Sequence, residues 1–260
     1  MKAFELIEEI TFLGHAPEKT CDTVKMGDIR KEISKVAVCM IPTVDIIRKA
    51  NEWGADMMIV HEPIFYDHWD NAKGDPVTAA KQKLLEKGGM IIYRYHDHMH
   101  FRENDEITEG ELYYLGLKGS IEKVSDTVCS IMTLEEPVSA LELAKLIEQK
   151  LGLAHVRISG AVNKKSTRVA LCFGATGSVH RILSETDAQI ALAGEICEWK
   201  DAEYARDAAA LGMNKSLIVM GHVGSERDGM RLLAHRLQKK HTDVEIKYFE
   251  CDEVYALTRN

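Results

Sequence analysis

The chain predicts an α/β fold of two similar, duplicated halves related by a pseudo-two-fold axis, with a metal site in the cleft between them. Three observations lead there. A stretch of 28 residues recurs at a constant offset of 133. Within each copy, apolar runs alternate with amphipathic helical patterns. The residues best able to ligate a metal follow directly after three of the apolar runs.

The repeat sets KVAVCMIPTVDIIRKANEWGADMMIVHE (Lys35 to Glu62) against RVALCFGATGSVHRILSETDAQIALAGE (Arg168 to Glu195) without a gap. Eight positions are identical: Val36/Val169, Ala37/Ala170, Cys39/Cys172, Thr43/Thr176, Arg48/Arg181, Glu52/Glu185, Ala55/Ala188 and Glu62/Glu195. Each copy opens with an apolar run suited to a buried strand, Val36–Met40 and Val169–Phe173. An amphipathic helix follows, near Val44–Trp53 and Ser178–Thr186, and then a second strand, Asp56–Val60 and Gln189–Ala193. Parallel strands require such a helical crossover. A further helix, near Val77–Lys87 and Ala202–Leu211, ends at Gly88-Gly89 and Gly212, as helix C-termini favour. The third strands are Met90–Tyr95 and Ser216–Met220.

The flanks extend the pattern. A helix at Ala3–Phe12 precedes the first copy, and one at Ala140–Leu151, opened by Ser139, precedes the second. Ser225-x-x-Asp228 resembles a capping box opening a helix that reaches about Lys239, and a strand at Val244–Tyr248 follows. The expected boundary lies near Ser120–Asp126, giving halves 1–125 and 126–260 with no inserted domain and with chain ends free to pack across.

Composition narrows the classes. The 33 basic and 41 acidic residues give a net charge of −8, and no Lys/Arg block forms a nucleic-acid footprint. The beginning, MKAFELIEEI, carries acids where a secretory signal needs an apolar run, and no stretch reaches the roughly 18 apolar residues of a membrane span. The six cysteines form no C-x-x-C pair. The expectation is a cytoplasmic protein with reduced thiols and neither nucleic-acid nor membrane partners.

Three polar clusters sit past strand ends, where α/β sheets place their sites. They are His61-Glu62, then His96, Asp97, His98 and His100, and finally His222 with Glu226. His96 and His100 are four apart, as are His222 and Glu226, a spacing that aims two side chains of a first helical turn at one point. Imidazole and carboxylate together suit Zn, Fe, Mn, Co or Ni. Five or six such groups imply two divalent ions rather than one. Gly194-Glu195, the second copy of His61-Glu62, lacks the histidine, so the centre is expected to be asymmetric. His68, His155, His180, His235 and His241 fall outside the pattern and read as structural.

At these residues the chain resembles the NIF-three-like dinuclear metal-centre family, the GTP cyclohydrolase type-two homologues. That family shows His-His-Pro after an early strand, His-Thr-x-x-Asp in the middle and Gly-His-x-x-x-Glu near the end. Here the matching residues are His61-Glu62-Pro63, His96 to His100, and Gly221-His222 to Glu226. The resemblance implies metal ligation by His61, Glu62, His100, His222 and Glu226, with Glu62 replacing a histidine and His100 replacing an aspartate. It further implies a homo-hexameric ring or cage, and ring-opening hydrolysis of a nucleotide.

The expected function is therefore a metal-dependent hydrolase acting on a nucleotide or similar small molecule. Divalent ions acidify water they hold, and Glu62, or His96 and Asp97, would serve as general acid or base. Phe65, Tyr66 and Trp69 could line the cleft or pack between subunits. The alternatives are a non-catalytic metal-handling protein and a metal-stabilised adaptor. The turn Gly174-Ala175-Thr176-Gly177-Ser178 opens a helix and could hold a phosphate on its N–H groups, but the match to any phosphate-binding fingerprint is incomplete, and tight-turn packing is the expected role of its glycines.

Overall fold

The computed structural model describes residues 1–12, 16–71, 74–177 and 179–258. The chain divides into two compact units, Met1–Gly110 with Gly229–Asp252, and Glu111–Asp228 with Glu253–Asn260. Each carries its own sheet, and the fold is mixed α/β.

In chain order the first elements are α1 (Ala3–Thr11), β1 (Val24–Met26), β2 (Lys35–Cys39), α2 (Val44–Trp53), β3 (Met57–Val60), α3 (Pro76–Gly88), β4 (Ile91–Arg94), α4 (Asp97–His100) and α5 (Glu106–Leu115). Then come β5 (Gly119–Lys123), β6 (Ser130–Ser139), α6 (Ala140–Leu151), β7 (Arg157–Gly160), β8 (Lys165–Cys172), α7 (Val179–Glu185) and β9 (Ile190–Ala193). A π-helical turn at Glu198–Ala202 leads into α8 (Glu203–Ala210), followed by β10 (Ser216–Val219), α9 (His222–Lys240) and β11 (Glu245–Tyr248). Ser178, which the sequence places at the start of the helix that forms α7, lies outside the described residues.

The first sheet runs β1-β4-β3-β2-β11. All its pairs are parallel except β1 against β4. Every residue of β3 and β4 is buried, as expected for a parallel sheet covered on both faces. Local chemistry sets the crossovers. Thr43 caps α2 by accepting from Ile46 N, and Gly54 ends it at φ +78°. Asp75 caps α3 by accepting from Val77 N and Thr78 N, with Pro76 in the first turn.

The second sheet runs β5-β6-β8-β9-β10-β7 and is parallel only in β8/β9/β10. Its strands alternate between faces. Val169, Leu171, Ile190, Leu192 and Ile218 pack with Leu143, Ile147 and Leu151 of α6. Ala170, Cys172, Ala191, Ala193 and Leu217 pack with Val179, Ile182 and Leu183 of α7. This is the two-residue strand period at work.

The repeat has a counterpart in hydrogen bonding. Val36 lies opposite Met57 and Val169 opposite Ile190, an offset of 133 in both strands. Further on, Tyr95 N donates to Val60 O and Met220 N to Ala193 O. Tyr95 thus holds the place of Met220 and His96 that of Gly221, so the pairs His96/His100 and His222/Glu226 are one residue out of step.

Two expectations need correction. Residues 111–125 fall in the second unit, where β5 pairs with β6, so the boundary follows Gly110 rather than residue 125, while β11 joins the first sheet beside β2, a crossing of the chain end that the sequence allowed. The Ser225–Asp228 capping box does not form, because α9 already begins at His222. The Ser225 hydroxyl instead donates to His222 O and accepts from Gly174 N. Among the described residues, no helix is long and apolar enough to cross a membrane.

Candidate metal centre

In the first unit the candidate ligands gather where β3 and β4 end. His61 and Glu62 follow β3, and the backbone N–H groups of both donate to Met40 O. After β4 the chain turns at His96 into the short helix α4, which presents His96 and His100 one turn apart. One ring nitrogen from each of His61, His96 and His100 lies within 4.8 Å of the other two. The rings touch: centroids are 4.5 Å apart for His61–His96, 5.1 Å for His61–His100 and 4.8 Å for His96–His100.

Each ring is turned by an oxygen. The Nδ1–H of His61 donates to Tyr95 O at 3.1 Å, that of His96 to Asp97 at 2.9 Å and that of His100 to Asp105 at 2.8 Å. These acceptors assign one tautomer to all three rings, with the lone pair on Nε2. An oxygen behind each imidazole is the arrangement metal sites use to orient histidine and raise its basicity.

The oxygens are themselves held. Asp97 also accepts from Thr20 Oγ1 at 2.8 Å and Cys21 N at 3.0 Å. Burial pushes its carboxyl pKa up, but the bonds from His96, Thr20 and Cys21 outweigh this and hold it far below the usual range. Asp105 caps α5 by accepting from Thr108 N at 2.7 Å. Asp22, fully buried, accepts from His96 N, Asp97 N and His98 N and from His98 Nδ1, which fixes the whole turn.

Glu62 has its own support. The buried Arg94 guanidinium lies 3.6 Å from its carboxylate and donates through Nε to His61 O at 3.0 Å. Glu62 Oε1 stands 4.0 Å from His96 Nε2. His68, read from sequence as structural, has its ring 6.1 Å from that of His96 and so borders the cluster.

In the second unit His222 opens α9 between two carboxylates. Its Nδ1 is 2.8 Å from Glu195 and its Nε2 is 3.0 Å from Glu226. Glu226 is buried against Gly174, where an added Cβ would come within 2.0 Å of Glu226 Oε1. The glycine of that turn therefore serves close packing. A cavity of 630 Å³ adjoins His222 and Glu195, with Arg157, His155, Glu198 and Tyr255 also on its walls.

Within the first unit, then, the structure gathers His61, Glu62, His96, Asp97 and His100; within the second it gathers His222 and Glu226. Sequence reasoning missed Asp22, Asp105 and Arg94, which carry no local signal, and Glu195, which the repeat had marked as the identical partner of Glu62. Among the histidines set aside, His155, His180 and His241 face Glu253, Asp201 and Glu9. The imidazole and carboxylate donor sets fit a borderline divalent metal such as zinc or iron.

Comparison with known proteins gives the family. A relative from Clostridium perfringens named GTP cyclohydrolase 1 type 2 homolog is 23% identical over 230 residues, covering 85% of this chain and 84% of its own. The solved structure of a protein called ybgI, of unknown function, matches at TM-score 0.79 and 21% identity, over 97% of this chain and 99% of the other. A Bacillus cereus protein related to NIF3 matches at TM-score 0.76 and 13% identity, over 99% of both chains. With the model of the Duf34/NIF3 (NGG1p interacting factor 3) family matching residues 5–254, the chain belongs to that family.

Proposed function

We propose that this protein binds two divalent metal ions through the His61–Glu62–His100 and His222–Glu226 ligand sets and uses them to hydrolyse a nucleotide or similar small molecule. The observation that carries this reading is the three-histidine cluster, each ring fixed by an oxygen on Nδ1. Metal sites use oxygens placed in this way to orient their histidine ligands. The relatives named GTP cyclohydrolase 1 type 2 homolog support a nucleotide as substrate. The cavity beside His222 has the size of small-molecule sites, and Arg157 on its wall is paired with Glu198.

When bound, the ions would supply Lewis acidity and acidify water. The protein's own groups do the rest. Glu62, at the edge of the cluster, accepts a proton and is steered by Arg94. Asp97, saturated by three donors, positions His96 and has no proton to give. The same order of strands and helices and the matching β2/β3 and β8/β9 registers support an origin by duplication. Assembly as a homo-hexamer and a cytoplasmic location are part of the proposal.

The test is elemental analysis of protein purified without added metal or chelator, with the assembly mass measured alongside and nucleotides then screened. About two equivalents of transition metal per chain, lost in His222→Ala with the fold intact, support the reading. A His222→Ala variant that keeps both metals, or a chain that takes up none, refutes it.

A further inference from the structure

We propose that the first unit holds one of these ions on three imidazoles, with His96 as a metal ligand and His100 setting a preference for nitrogen-seeking metals over oxygen-seeking ones. The inference rests on the metal-binding reading above but departs from it in two ways. It places His96 in the ligand set where Glu62 stood, and it gives the histidine at position 100 a consequence.

The geometry treats His96 as it treats His61 and His100. All three offer a nitrogen to one small volume, and all three have Nδ1–H engaged by an oxygen. A general base needs room for substrate and a changing proton count. The His96 ring instead stacks on His61 at 26° and meets His100 edge-on, and its backbone is pinned by Asp22. The anchors also differ in kind. His61 leans on a backbone carbonyl, whereas His96 and His100 each lean on a carboxylate, which makes those two rings the stronger donors.

Three neutral imidazoles bring no charge to the ion. Zinc accepts such a set, and imidazole suits zinc, copper and nickel, whereas carboxylate, carbonyl and water suit magnesium and manganese. Where the resembling family carries an aspartate, this chain carries His100. The exchange removes one negative charge from the ligand set, because Asp105 lies behind the His100 ring rather than beside its Nε2. Glu62, 4.0 Å from His96 Nε2, is the carboxylate left at the rim.

The experiment uses the full chain stripped of metal and loaded with one equivalent of zinc. X-ray absorption counts the imidazoles around the ion, which needs no variant. Three support the proposal; two or fewer overturn it. Zinc and manganese affinities of wild type, His96→Gln and His100→Asp are then measured, with circular dichroism confirming the fold. His96→Gln is expected to weaken zinc by at least about 100-fold, the upper end of what removing a supporting group costs. His100→Asp is expected to lower the zinc-to-manganese affinity ratio at least about tenfold. Unchanged zinc affinity in the first variant, or an unchanged ratio in the second, overturns the proposal. Protein that shows three imidazoles yet hydrolyses no nucleotide supports this assignment while refuting the enzyme reading.

Discussion

Replacing Asp22 should loosen the His61–His96–His100 cluster more than replacing any other residue outside it. Its carboxylate accepts from His96 N at 2.8 Å, Asp97 N at 2.8 Å, His98 N at 2.9 Å and His98 Nδ1 at 2.7 Å. It thereby caps the first turn of α4 from a segment 74 or more residues away in sequence. A hydrogen bond to a charged group contributes about 1.5–3 kcal/mol, so four additive bonds would give roughly 6–12 kcal/mol. Two oxygens share the four donors and two of the donor residues are part-open to water, which brings the expected cost of Asp22→Ala to about 3–5 kcal/mol. Asp22→Asn keeps one acceptor oxygen but turns an amide N–H₂ toward a backbone N–H, and should cost about 2 kcal/mol. Guanidinium unfolding reads both values from the midpoint, provided the slope is unchanged. Metal affinity, measured on the same samples, should fall about 10–100-fold as His96 and His100 lose their fixed separation. An Asp22→Ala variant within about 0.5 kcal/mol of wild type and with unaltered metal affinity would refute the claim that this carboxylate builds the turn.

Gly174→Ala should cost about 1–2 kcal/mol from its φ of +68° alone and displace Glu226, whose Oε1 lies 2.0 Å from the new Cβ. Thermal unfolding with metal analysis checks this against Gly177→Ala, where the φ is +93° but nothing lies within 4 Å, so metal content should hold. Lys81 gives a pH signature: burial pushes its ammonium down to about 8, against an upward pull from Cys39 and Asp70. Between pH 8 and about 10.4 the unfolded chain therefore binds the extra proton, and stability should rise with pH at up to about 1.4 kcal/mol per unit. Urea midpoints at pH 8 and 10 should show this rise in wild type and lose it in Lys81→Met; equal slopes in the two would refute it.

The core strands were legible because burial on both faces writes itself as an apolar run. Met57–Val60, Ile91–Arg94 and Ile190–Ala193 are buried at every position. Of the strands that sequence reasoning missed, β1, β5 and β7 lack that mark, whereas β6 is buried over Ser130–Met132. All five residues of β5 are exposed, and β6 carries an exposed Glu135-Glu136-Pro137 stretch where its register against β8 shifts. The site divided along the same line. His61, His96, His100 and His222 stood out by type and by position after strands. Asp22 and Asp105 did not, because an acceptor for a remote ring or turn obeys no sequence period. Glu195 was marked by the repeat, yet only the 2.8 Å contact to His222 Nδ1 gives it a role.

The unequal halves also have a physical cause. His61 and Gly194 occupy matching places after β3 and β9, and only the first carries a side chain. A Cβ at Gly194 would lie 2.5 Å from Gly174 O and 2.5 Å from Ser225 Oγ, the hydroxyl that accepts from Gly174 N. The space an imidazole would need is taken by the turn that carries Gly174 and backs Glu226. In the first unit the equivalent turn, Ile41-Pro42-Thr43, has no glycine. There Thr43 spends its hydroxyl capping α2, and the buried His61 ring is accommodated. A histidine after the strand and a buried glutamate behind the glycine turn are thus alternative ways of filling one position. Restoring the histidine by Gly194→His alone would break the Gly174–Ser225 contact, so metal analysis of that variant should show a loss rather than a gain against wild type.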